Sequence, residues 1–308
     1  MAGKSREIKG RIKAVGNIER ITKTMQMIAT ARFQKLQKRA TSAKPYADKV
    51  HEVVGELGAA LGGEGSASHP LLQKPDPPAG RELLLVITSD RGLCGAYNTN
   101  VLRRAMTQLR GKEDQTRLEV VGKKGGGFFK FNGVTIDEQV EGIGDSPSYE
   151  RVAELAESYM QRFTAGELDA VRIVSMEFIT MGQQKPRLLT LLPLEPPPEA
   201  PDAPDSDAGV ADGSANAAAA FGGGVYEFEP DPGALLDQVL PLAVKTTLLQ
   251  AFNEAAVSEQ IARMIAMKSA TDAASKMKKN LKREFNRARQ TAITTELTEI
   301  IGGAAALE

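Results

Sequence analysis

Between Leu242 and Ile301 the chain runs for sixty residues without a glycine or a proline. At 1.5 Å of rise per residue that stretch is about 90 Å of α-helix, whereas a helix inside a globular domain is about a dozen residues long. Such a rod has to leave its domain, and any apolar stripe along it needs a partner. Val257, Ile261, Met264, Thr271, Ala274, Met277, Leu281, Phe285, Ala288 and Ala292 recur at steps of three and four, which marks one such stripe.

The opposite end of the chain has matching character. Ile8, Ile12, Val15, Ile18, Ile21, Met25 and Ile28 recur at the same steps, although Gly10 and Gly16 weaken the start of the helix. Pro45 is expected to kink or interrupt it before it resumes toward Leu61, and "GGEGSASHPLLQKPDPPAG" ends it. Two chain ends on either side of a compact domain can meet as an antiparallel coiled coil; two separate bundle helices are the alternative.

The middle of the chain reads as an α/β domain. "ELLLVITSD" is an apolar run followed by "RGLCGAYN" and then by helical spacing in "TNVLRRAMTQLR". "RLEVVGKKGGGFFKF", "VTIDEQV", "AVRIVSMEFI" and "RLLTLLPL" are further strand candidates, and "SYERVAELAESYMQRF" is a helix. Alternating strands and helices predict a Rossmann-like, mostly parallel sheet covered on both faces. The expected organisation is a coiled-coil helix over 1–61, a linker over 62–80, the α/β domain over 81–194, an insertion over 195–224, and a closing segment over 225–308 that holds the second coiled-coil helix. The insertion, "EPPPEAPDAPDSDAGVADGSANAAAAFGGG", has too few large apolar side chains to offset the entropy of ordering and is expected to be disordered.

Composition narrows the function. With 42% hydrophobic and 25% charged residues the chain is of globular type, and no apolar run is long enough to span a bilayer. The N-terminus "MAGKSREIKGR" lacks the apolar core of a secretory signal, so the expected compartment is cytoplasmic. Cys94 is the one cysteine, beside only His51 and His69, which leaves no intrachain disulfide and no cluster of soft metal ligands. The net charge of zero hides opposed segments: 13 bases against 3 acids over 1–49, 8 against 2 over 268–289, and 6 acids without a base over 195–224. Two basic ends point to acidic partners.

"ITSDRGLCGAYN" stands where doubly wound folds bind phosphates. Neither it nor "GKKGGGFF" has the Gly, four residues, Gly-Lys-Ser/Thr of a Walker loop, and no dinucleotide fingerprint is present. Asp90 and Arg91 read as a turn-forming ion pair, and Cys94, with no histidine nearby to activate it, as a small packing residue. The basic helices lack the aromatic interleaving of nucleic-acid binders. Three readings stay open on these grounds: a shaft that couples its partners, a static coiled-coil scaffold, and an α/β nucleotide- or phosphate-handling enzyme with a coiled-coil arm.

Four separated stretches then resemble one family. "ITKTMQMIATARFQK", "TSDRGLCGAYNTN", "YEFEPDPGALLD" and "NRARQTAITTELTEIIGGAAA" stand in the order found in gamma subunits of F-type, proton-translocating ATP synthases. The resemblance implies a non-catalytic rotor without a cofactor. Its terminal helices enter a ring of three alpha and three beta subunits, and its partners are those subunits, the epsilon subunit and the c-subunit ring. It implies no nucleic acid, membrane association only through the complex, and a peripheral place at the cytoplasmic face of the cell (inner) membrane.

Position by position, the resemblance assigns a contact with the acidic lever of beta to Met25, with Lys23 and Arg32 beside it, and an upper catch with beta to Arg289, Gln290 and Thr291. Ile300, Ile301, Ala304, Ala305 and Ala306 match an apolar bearing tip, and Tyr226, Glu227, Phe228 and Glu229 match the segment on the c-ring. The acidic insertion departs from the family pattern, and Pro241 is expected to bend the lower shaft.

Overall fold

The computed structural model describes residues 2–60, 69–73, 80–112, 114–143, 147–194 and 232–305. The insertion over 195–224 and most of the 62–80 linker lie outside the described residues. In chain order, α1 spans Ala2–Ala60, β1 Glu82–Ile87, α2 Tyr97–Leu109, β2 Thr116–Val121, α3 Lys123–Phe131, β3 Glu138–Val140, α4 Tyr149–Thr164, β4 Ala170–Thr180, β5 Gln183–Leu192 and α5 Pro232–Ala305.

The five strands form one sheet in the order β3-β2-β1-β4-β5. The first four are mutually parallel, and β5 returns antiparallel along β4. Side chains alternate across a strand, so β1 feeds two cores. Leu83, Leu85 and Ile87 pack with Tyr159 and Phe163 of α4 and with Leu240, Val244 and Leu248 of α5. Leu84 and Val86 pack on the other face with Val101 and Ala105 of α2 and with Phe129 of α3. Val50, Val54 and Leu57 of α1 join the first core, so the lower parts of both long helices are built into the domain. A fully buried leucine contributes about 1.5 to 3 kcal/mol, which makes that wall a stable root for what projects above it.

The glycine-rich stretch after β2 differs from the strand expected of it, because it is the helix α3. Gly125 is a spacer: a Cβ there would lie 2.6 Å from Thr88 Oγ1 and 2.7 Å from Val120 Cγ1. Removing the side chain lets the helix close onto the strands at some cost in helix propensity. Neither proline interrupts its helix. Helix α1 runs unbroken through Pro45 for 59 residues, and α5 runs unbroken through Pro241 for 74.

Candidate partner-contact surfaces on the shaft

Helices α1 and α5 pair antiparallel. Thr22 and Thr271 share a hydrogen bond of 2.8 Å between their hydroxyls, and Lys278 Nζ donates to Glu19 Oε2 at 2.7 Å. Phe33 and Leu36 pack with Val257 and Ile261. On α1, Ile8, Val15, Thr22, Ala29 and Leu36 are buried at intervals of seven, the heptad period of a coiled coil. On α5 the seam runs through Met264, Met267, Thr271, Ala274, Lys278, Leu281, Phe285, Ala288, Ala292 and Thr295, all at least half-buried. The Lys278 ammonium holds the Glu19 carboxyl below the usual carboxylate range.

Part of the stripe read from the sequence is therefore not the seam. Ile18, Ile21 and Ile28 are 52%, 59% and 50% exposed, and Met277 gives its expected place to Lys278. At 100° per residue, Ile21 sits about 120° around the helix from Val15. The pairing instead uses Gly16, Glu19, Thr22 and Ala29, small residues that admit the partner helix or polar ones that bond to it. The displaced isoleucines form a second, outward apolar row beside Met25.

The residues assigned by resemblance fall on different levels of the shaft. Lys23 is exposed, while Met25 and Arg32 are half-buried. Arg289, Gln290 and Thr291 are all exposed. Thr271, which faces Thr22, precedes Arg289 by eighteen residues, so the second group stands roughly 27 Å further along the helix. Above Thr295 no described side chain of α5 is buried, and Ile300 and Ile301 are 63% and 67% exposed. Ala304 and Ala305 close the helix, and Ala306 lies outside the described residues, as do Tyr226, Glu227, Phe228 and Glu229.

A collar joins the shaft to the domain, and sequence reading missed it. Arg263, on α5, donates to the carbonyl oxygens of Arg91 and Gly92 at 3.3 and 3.4 Å and to Glu259 Oε1 at 2.6 Å. Arg263 and Glu259 are only 7% and 6% exposed. Beside them burial pushes the Tyr97 phenol well above its usual range, with the Glu259 charge adding to the shift. The "RGLCG" turn is thus the socket that seats α5. Cys94 is buried there as expected and accepts from Asn98 Nδ2 at 3.2 Å. The single Glu259-x-x-x-Arg263 spacing of α5, set in the mostly apolar run from Ala255 to Ala262, was the signal available in the sequence.

At the carboxyl ends of the strands, where this architecture would hold a phosphate, the donors are already used. The first N–H groups of α3 go to the chain itself: Lys123 to Asp90 Oδ1 at 3.1 Å, Lys124 to the Ser89 carbonyl at 3.1 Å and Gly125 to Thr88 Oγ1 at 2.9 Å. Asp90 therefore caps α3, and among the described residues it forms no ion pair with Arg91. The adjoining crevice of about 250 Å³ is lined by Lys123 as well as by Asp90, Glu141 and the Glu259 that pairs with Arg263. Among the described residues no cluster of three or more metal-ligating side chains occurs, and no helix is long and apolar enough to cross a membrane.

Comparison with known proteins is consistent along the whole chain. The ATP synthase family model matches residues 4–307. The ATP synthase gamma chain of Heliobacterium modesticaldum is 40% identical over 304 residues, covering 98% of each chain. That of Pelotomaculum thermopropionicum is 37% identical over 303 residues, covering 98% of this chain and 99% of its own. Among solved structures, a chain of the Euglena gracilis mitochondrial ATP synthase, from the OSCP, F1 and c-ring assembly, superposes with a TM-score of 0.63 at 18% identity. That superposition covers 100% of this chain and 95% of the other.

Proposed function

This chain belongs to the ATP synthase gamma-chain family, and from that premise we propose a central-stalk subunit that transmits rotation and performs no chemistry of its own. The observation that carries the reading is the antiparallel seam anchored by Thr22 with Thr271 and Glu19 with Lys278, which makes a stiff, asymmetric rod out of the two ends of one polypeptide. A single asymmetric rod inside a threefold ring cannot touch three identical neighbours in the same way. Each catalytic neighbour is then biased by differential contact energy, and rotation exchanges the biases. The absence of chemistry in the chain itself is supported by the N–H groups at the start of α3, which are already bonded within the chain.

In this reading Lys23, Met25 and Arg32 face the acidic lever of beta, and Arg289, Gln290 and Thr291 form the upper catch. Exposed ion pairs are worth about 0 to 1 kcal/mol each, weak enough to break and re-form at every step. Ile300, Ile301, Ala304, Ala305 and Ala306 turn as the tip. Tyr226, Glu227, Phe228 and Glu229 meet the c-ring, and the epsilon subunit is a further partner, on the cytoplasmic side of the membrane.

The test is reconstitution with alpha and beta subunits. One copy should enter per six ring subunits and restore ATPase turnover, while the isolated chain should bind no nucleotide. Failure to assemble, or nucleotide affinity of the chain alone, would overturn the reading.

A further inference from the structure

The two helices that cover one face of the sheet, α2 and α3, carry Arg103, Arg104, Lys123, Lys124 and Lys130 and no acid. All five are exposed, as is Arg110 at the end of α2. Among the described residues Arg103, Arg104 and Arg110 form no ion pair. On the opposite face α4 mixes both signs and spends them in pairs, Arg151 with Glu154, Arg162 with Glu119 and Glu157 with Lys245. Arg103 and Arg110 stand seven residues apart and so share one side of α2, with Arg104 beside them. Unopposed like charges on one helix side call for an anionic neighbour.

The chain supplies one at short range. Residues 195–224 hold Glu195, Glu199, Asp202, Asp205, Asp207 and Asp212 and no base. Both flanks of that stretch meet the same short segment: the Leu194 N–H donates to the Leu71 carbonyl at 3.0 Å, and His69 Nε2 reaches Asp237 at 3.2 Å. The C-terminal end of α2 lies at this end of the sheet. Leu192 pairs with Val171 and Ala170 with Glu82, and Lys112, just past α2, has its ammonium 3.9 Å from Glu82. Helix α2 shares a core with Val174 of β4 and Leu188 of β5, the strand from which the acidic stretch departs. Asp205 is eleven residues beyond Leu194, and eleven extended residues reach about 36 Å, against a length of about 20 Å for α2. A tethered polyanion acts at an effective concentration of about millimolar, which lets several individually weak pairs prevail over a free partner of the same charge.

We propose that the acidic stretch over 195–212 docks along the exposed side of α2, its carboxylates against Arg103, Arg104 and Arg110. Docking neutralises that side, so the stretch competes there with any other polyanion. Five prolines between Pro196 and Pro204 restrict its backbone in advance and reduce the entropy lost.

The test uses the full chain. Cys94 is 2% exposed, so a nitroxide attached to Ser206→Cys takes the one accessible thiol. At low salt the label should broaden the amide NMR signals of α2 from Val101 to Arg110 and leave those of α4 from Val152 to Phe163 sharp. Raising the salt to about 1 M, where the Debye length is about 3 Å, should restore the α2 signals. The combined Arg103→Gln, Arg104→Gln and Arg110→Gln variant should restore them at low salt, and so should amides in place of all six acids. Absence of broadening, equal broadening of α2 and α4, broadening that falls instead on the basic stretch of α1, or broadening that survives the amide variant would each overturn the proposal. Spin-labelled chains mixed with isotope-labelled ones should leave the α2 signals of the latter sharp; broadening there would mean that the stretch meets a second copy instead. Should the arginine variant fail to fold by circular dichroism, the amide variant and the salt dependence decide.

Discussion

Thr22 and Thr271 touch hydroxyl to hydroxyl across the shaft, 2.8 Å apart, at a position where a coiled coil ordinarily carries two apolar side chains. Each hydroxyl also reaches a carbonyl of its own helix, Thr22 that of Ile18 and Thr271 that of Met267. The pair can therefore fix the register without leaving an unmet polar group. Replacing one member by valine should cost more than half of what replacing both costs, with a coupling of about 0.5 to 1.5 kcal/mol. A double-mutant cycle of Thr22→Val and Thr271→Val under urea denaturation measures it. Strict additivity would remove the register role.

One layer away, Glu19 is held below its usual range by its bond to Lys278. The sign follows from linkage. A carboxyl whose folded pKa is depressed adds stability above its unfolded value, near the ordinary 4.5, and that stability is lost as pH falls through the folded value. Lys278→Gln should return the Glu19 titration toward the ordinary value and flatten the acid dependence of shaft stability. The side-chain carboxyl shift of Glu19, followed by NMR from pH about 7 to about 2, reads both effects.

The existence of two long helices, their pairing and the parallel sheet were all legible, because periods of three or four and of two survive in the residue pattern. The register was not. Ile18, Ile21 and Ile28 are apolar and periodic, yet the seam prefers Glu19, Thr22 and Ala29, since the partner helix supplies Lys278 and Thr271 at those levels. One sequence cannot state which polar residue its distant partner will satisfy. Asp90 teaches the same lesson: its bond to the Lys123 N–H spans 33 residues, and the helix that Lys123 begins is disguised by glycines needed for close approach to Thr88. The segment Tyr226 to Glu229 rests on resemblance alone, outside the described residues.

At the foot of the shaft, His69 donates from Nε2 toward Asp237 Oδ1 at 3.2 Å while its Nδ1 accepts from the Leu71 N–H at 3.1 Å. The neutral ring satisfies both bonds, whereas protonation of Nδ1 breaks the second. Burial lowers the His69 pKa below 6.5, against the pull of Asp237. The stability this adds is present above 6.5 and is lost as pH falls through the folded value. Imidazole NMR shifts should show the depressed titration, and Asp237→Asn should depress it further. A His69 that titrates at or above 6.5 would contradict the arrangement.

The collar makes the strongest demand on stability. Arg263 neutralises Glu259 and binds two carbonyls of the 91–92 turn, so Arg263→Met would leave a buried carboxylate without its guanidinium and the turn without its donor. Removing one partner of a buried pair typically costs about 3 to 5 kcal/mol, whereas replacing both by apolar residues is often close to neutral. Arg263→Met should therefore destabilise the chain by about that amount, and Arg263→Met with Glu259→Met by clearly less. Urea unfolding gives the energies, and amide exchange across 91–95 reports whether the socket has opened. The single variant should speed that exchange while leaving the central strands, β1 and β2, protected. A single variant as stable as the wild-type chain, with unchanged exchange in the turn, would mean that α5 is seated by apolar packing alone and that the buried pair is not what joins rod to domain.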